Sequence, residues 1–113
     1  MTRAQAEALL NHLWQRGTAF LGCRYAIMGG AMTWVSERNL VSAISNAGGF
    51  GVIASGSMPP EILAAEIAAT YKLTDRPFGV NLITLHPKLE QLIDVCLEAK
   101  VGHVVLAGGL PPT

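Results

Sequence analysis

Four short apolar stretches recur along this chain: Tyr25–Met28, Phe50–Ser55, Phe78–Ile83 and His103–Ala107. Their first residues lie 25, 28 and 25 apart, and each gap holds a segment with helical periodicity. A strand–helix repeat of that size predicts successive right-handed βαβ crossovers, with the strands parallel in one sheet. The strands are continuous apolar runs instead of alternating ones. That is expected where helices cover one face of a sheet and a packed interior covers the other. Two architectures accommodate four such units: an open doubly wound sheet, or half of an eight-stranded barrel.

The intervening segments carry helix signals. Residues 3–16 place Ala6, Leu9, Leu10, Leu13 and Trp14 at helical spacing, with His12 on the polar side and Gly17 as a stop. Ser36 is positioned to cap a helix to about Ala47, with Leu40, Val41 and Ile44 on one side and Gly48-Gly49 ending it. Pro59-Pro60-Glu61 open the next, which carries Leu63, Ile67 and Tyr71. Pro87 opens the last, whose Leu89, Leu92, Ile93, Cys96 and Leu97 fill the whole apolar template. Residues 1–24 read as an N-terminal helix and lead-in. Residues 25–113 read as the strand–helix units of one incomplete domain.

Composition narrows the partners. Eight basic residues balance eight acidic ones, so a nucleic-acid or anionic-membrane surface is not expected. Half of the residues are hydrophobic and 14% are charged, which implies that part of the surface is covered by a partner. Glu7, Asn11 and His12 interrupt any signal-peptide core, and no apolar run approaches membrane-spanning length. Cys23 and Cys96 fit no zinc or redox spacing, so a reduced, cytoplasmic protein is the expectation.

In either architecture ligands meet the C-terminal ends of the strands. Those ends are Gly29–Thr33, Ala54–Ser57, Asn81–Thr84 and Ala107–Leu110. A Rossmann sheet would want G-x-G-x-x-G after its first strand, and "GGAMTW" lacks the third glycine. Asn81 interrupts an apolar run with a side chain that both donates and accepts, suited to the edge of a heterocycle; a local turn bond is the competing reading. Met32 and Trp34 are either packing residues or ligand contacts. His86 lies on the ligand side, with a loop or capping role as its plainer reading. His103 starts a strand and is structural, and Cys96 belongs to the core. No carboxylate falls at a strand end, since Glu37, Glu61 and Asp75 sit at helix starts or in connections. The chain therefore offers no acid–base pair, nucleophile triad or metal cluster of its own.

"YAIMGGAMTWVSERNLVSAISNAGGFGVIASGSMPPEILAAEI" followed by "LTDRPFGVNLI" resembles the nitronate monooxygenases, once called 2-nitropropane dioxygenases. It is equally similar in motif to the related enoyl-acyl-carrier-protein reductase II enzymes. The similarity runs from Tyr25 to about Pro112. The resemblance implies an α/β fold, the N-terminal half of a TIM (β/α)8 barrel that binds FMN. Ala31, Met32 and Thr33 would line the flavin, Asn81 would hydrogen-bond it, and Gly108 would border the same pocket. The implied substrates are an alkyl nitronate with O2 or, in the reductase relatives, an enoyl thioester with a nicotinamide. Ala26 and Gly29 stand where the family often has Pro and Gln, and Ala31 replaces a glycine. The family's catalytic histidine and FMN-phosphate loops belong to the later half of a barrel, so none of His12, His86 and His103 inherits a catalytic role. The expected macromolecular partner is the remaining half of a barrel, or a second copy.

Overall fold

The structure, a computed structural model, describes residues 1–110; Pro111, Pro112 and Thr113, the end of the implied similarity, lie outside them. In order along the chain the elements are α1 (Arg3–Leu13), α2 (Gln15–Leu21), β1 (Met28–Gly29), α3 (Arg38–Asn46), β2 (Phe50–Ala54), α4 (Pro60–Leu73), β3 (Phe78–Ile83), α5 (Leu89–Glu98) and β4 (His103–Ala107). The strands form one parallel sheet in the order β1-β2-β3-β4, so each pairs with its neighbour in sequence. Among the described residues no helix is long and apolar enough to cross a membrane.

The periodic apolar faces of α3, α4 and α5 decide the outer layer. Val41, Leu63, Ile67, Leu92 and Cys96 pack against Ile53, Phe78, Val80 and Leu82 of the sheet. On the other face Phe50 and Val52 meet Leu21 of α2 in a smaller cluster. Laterally paired residues of a parallel sheet share a face, so Val52, Gly79, Asn81 and Val105 also point to this inner side. His103, the first residue of β4, stands between Phe20 and Phe50 with ring centroids 5.0 and 5.1 Å away. Its Nε2 lies 2.7 Å from the Phe20 carbonyl oxygen. His103 is thus structural, as its position at a strand start implied, and it ties α2 across the lower end of the sheet.

Several local expectations need correction. Gly17 does not stop a helix; it lies inside α2, and the break falls at Trp14. The first strand is not Tyr25–Met28 but two residues, Met28 and Gly29. Tyr25 donates its N–H to the Gly48 carbonyl and Ile27 donates to the Tyr25 carbonyl, a turn that consumes the groups a strand would need. The cap of α3 is Glu37, whose carboxylate accepts from the N–H groups of Asn39 and Leu40. The apolar residues of α1 meet no core: Leu9, Leu10 and Leu13 are exposed, and the helix rests on its Thr2–Gln5 capping box. In α5, Ile93 and Leu97 stay exposed because the groove they border beside β4 is uncovered in the described residues.

One ion pair staples two helices. Glu66 of α4 accepts from Arg38 Nη2 at 2.7 Å and from the Arg38 backbone N–H at 3.1 Å, so it also satisfies the first turn of α3. The hydrogen bonds from Arg38 hold the Glu66 carboxyl below the usual carboxylate range. A depressed folded-state pKa adds stability above the unfolded carboxylate value, and that stability is lost as pH falls through the folded one. Glu66→Gln should therefore lower stability at neutral pH by about 1–2 kcal/mol, allowing for the half-exposed guanidinium. The deficit should shrink toward acid pH in urea melts; a deficit that does not change with pH would contradict this role.

Candidate functional site

The C-terminal ends of the strands gather the polar and glycine residues. After β1 the chain enters a tight loop organised by Ser36, a buried residue. The Ser36 hydroxyl accepts from the Met32 N–H at 2.8 Å and lies 3.4 Å from the Gly30 carbonyl oxygen. The Ser36 carbonyl then accepts from the Ala54 N–H at 3.0 Å, taking over where β1 stops. This holds Ala31 against Leu21, Phe50 and Val52, while Met32 and Thr33 are exposed.

Asn81 lies on the inner face of β3, paired with Ala54 on one side and Val105 on the other. Its backbone carbonyl is fixed by the Ser55 hydroxyl at 2.6 Å. Its carboxamide has no hydrogen-bond partner among the described residues and is half-buried, so the turn-bond reading does not hold. On that face its lateral neighbours are Ala54, a small residue, and Val105. Thr84 holds the last loop: its N–H donates to the Ala107 carbonyl at 2.8 Å, and its hydroxyl lies 3.2 and 3.3 Å from the carbonyl oxygens of Ala107 and Gly109. Gly108 has φ of +94° there, a conformation few side chains adopt.

Ala31, Met32, Thr33, Asn81 and Gly108 thus all stand at one end of the sheet, but they are not equivalent. Asn81 offers an open donor and acceptor, Gly108 offers bare backbone, and Ala31, partly buried, packs against the inner cluster. His86 has the loop role read as its plainer alternative, its Nδ1 accepting from the Lys88 N–H at 3.0 Å. Cys96 lies on the helix side, and burial pushes its thiol up to about 11, so it stays neutral. Sequence reasoning passed over Ser36 as a latch and assigned it to a cap. The hint available was its position directly before Glu37, a better cap for α3.

A flat, partly polar ligand suits this end: one carboxamide without a partner among the described residues, and glycine backbone at Gly108 with no side chain in the way. No group of His, Cys, Asp and Glu side chains able to hold a metal ion is found among the described residues.

Residues 15–105 match the model of the nitronate monooxygenase family. Over 65 residues the chain is 43% identical to an octahydroindene-carboxyl-CoA dehydrogenase from Mycobacterium tuberculosis, covering 58% of this chain and 18% of that protein. A nitronate monooxygenase from Pseudomonas aeruginosa is 42% identical over 72 residues, covering 64% of this chain and 20% of the relative. The FabK structure from Thermotoga maritima superposes with a TM-score of 0.81 at 40% identity, over 83% of this chain and 30% of FabK. The chain therefore spans about a fifth of the length of the curated relatives. Its four strands and their helices correspond to a part of a TIM barrel.

Proposed function

Because the chain belongs to the nitronate monooxygenase family, we propose that it forms one wall of an FMN pocket in an oxidoreductase that acts on alkyl nitronates with O2. The open, half-buried carboxamide of Asn81 on the inner face carries this reading, since it is a hydrogen-bonding group left free where a heterocycle would lie. FMN would supply the redox chemistry. Asn81 would hold a polar edge of the ring, Met32 and Thr33 would border it, and the Gly108 backbone would approach it without a side chain between. Phe50, Val52 and Leu21 exclude water below. Polypeptide paired along β4 and beyond β1 would supply the other walls.

The test is FMN binding. The wild-type chain should quench isoalloxazine fluorescence, and Asn81→Ala should weaken that binding by roughly tenfold, one or two hydrogen bonds' worth. The melting temperature should not move, because the carboxamide makes no bond within the chain. Unquenched flavin, or equal quenching by the variant, would refute the reading.

A second reading has a specific observation behind it. The 43% identity to a dehydrogenase named for a carboxyl-CoA substrate supports an acyl thioester as substrate, and the resemblance to the enoyl-acyl-carrier-protein reductase II enzymes implies a nicotinamide as redox partner. In the flavin-loaded enzyme, nitronate-dependent O2 uptake without nicotinamide oxidation selects the first reading. Nicotinamide oxidation driven by an enoyl thioester selects the second.

A further inference from the structure

One part of the rim has no role in the flavin wall. Trp34 has φ of +70°, in the left-handed region, which costs a bulky side chain roughly 1–2 kcal/mol. It gains little packing in return, because the residue is 84% exposed. The surrounding backbone fixes it there: the Met32 carbonyl accepts from the N–H groups of both Val35 and Ser36, at 3.0 and 2.8 Å. A strained residue presented to solvent by a rigid loop suggests contact with something outside the chain.

The indole borders an apolar groove of about 280 Å³ with Met58, Pro59 and Ile62. Ser57, Met58 and Pro59 also wall a second depression of about 480 Å³, completed by Ile83, His86 and Lys88 among others. The two make one track over the loops that follow β1, β2 and β3, with an aromatic plane at one end and a cation at the other. The Lys88 N–H donates to His86 Nδ1, so the neutral ring carries its proton on Nε2, a donor on the same loop as the ammonium. Glu37 borders the first groove, but its carboxylate is occupied by the N–H groups of Asn39 and Leu40 and the Asn39 amide.

We propose that this track binds an adenosine diphosphate moiety, with adenine stacked on Trp34 and the diphosphate beside Lys88 and the Nε2 of His86. It rests on the second reading above, in which substrate or redox partner carries a nucleotide. Two molecules would bring this group: a coenzyme A thioester or a nicotinamide dinucleotide.

The chain has two tryptophans, Trp14 and Trp34, so a Trp14→Phe background leaves Trp34 as the only indole reporter. ADP should quench its fluorescence, and pantetheine, which lacks the nucleotide, should not. By calorimetry, Trp34→Gly should weaken ADP binding about tenfold, the scale of one base stacked on an aromatic ring. The same variant should raise the melting temperature, because glycine accepts the left-handed backbone; a purely structural tryptophan would do the reverse. Lys88→Ala should weaken ADP binding several-fold and flatten its salt dependence. Tighter binding of coenzyme A than of NAD⁺ identifies the thioester as the source, and the reverse order identifies the dinucleotide. Absence of quenching by ADP, equal binding of pantetheine, or wild-type affinity in Trp34→Gly overturns the proposal. The flavin titration reads Asn81 through a different chromophore, so either result can fail without the other.

Discussion

Gly51→Val is expected to abolish the native fold. Gly51 is the second residue of β2, on the side that faces α3. A Cβ there would run into the Val41 carbonyl oxygen, with the Val41 Cα only 2.9 Å away. The obstacle is helix backbone, which cannot rotate aside as a side chain can. Relief would require α3 to lift off the sheet, exposing Val41 and breaking the bond from the Gly51 N–H to the buried Ser45 hydroxyl at 3.1 Å. Ser45 also donates to the Pro77 carbonyl at 2.9 Å, so the disturbance would reach the start of β3. Overpacking usually costs about 1–3 kcal/mol, and a backbone obstacle with a lost buried hydrogen bond should exceed about 4 kcal/mol. Circular dichroism and urea melts should show little or no cooperative transition; a variant that melts like the parent would refute the close approach of α3.

Phe50→Ala should be the next most damaging change, and its damage should be uneven. Phe50 is fully buried and lies on the inner face, against Leu21 and the His103 ring. Removing a buried phenyl group costs roughly 3–5 kcal/mol. The loss falls on the cluster that docks α2, whereas α4 and α5 are held by the separate outer cluster. Amide exchange should therefore accelerate in residues 15–21 before it does in α4. Uniform acceleration across both layers would show that the two clusters act as one.

The periodic part of this architecture was legible in the residues. β3 runs from Phe78 to Ile83 and β4 from His103 to Ala107, as the apolar runs indicate, because a buried parallel strand needs a continuous apolar stretch. Leu63, Ile67, Leu92 and Cys96 are buried where helical spacing puts them. What failed was local hydrogen bonding. Tyr25–Ile27 has strand-like composition, but Tyr25 is drawn to Gly48, a partner 23 residues away that no local pattern reveals. Leu9, Leu10 and Leu13 have the spacing of a buried face with nothing packed on it, and periodicity does not say whether a face is covered.

At the site, Asn81 was readable because a carboxamide inside an apolar run is anomalous. The glycines of "NAGGFG" read as a helix end, but a Cβ at Gly51 would meet the backbone of α3 and one at Gly49 the Ile27 carbonyl and Ile44, so those two also serve close packing. The strain at Trp34 was invisible, since a tryptophan after a glycine-rich strand end carries no mark of its backbone angle.

The neighbour-only strand order bears on how the molecule assembles. The first register partners of successive strands, Met28 with Phe50, Gly51 with Phe78 and Gly79 with His103, are all close in sequence. Short closures are entropically cheap, so each strand can add to the sheet soon after it leaves the ribosome. The contact of Phe20 with His103 is different, closing a loop of 83 residues. During synthesis α2 must wait beside a growing sheet until β4 arrives, and only then is the lower end locked. Among these contacts the tie between Phe20 and His103 is therefore expected to form last, after the four strands have paired.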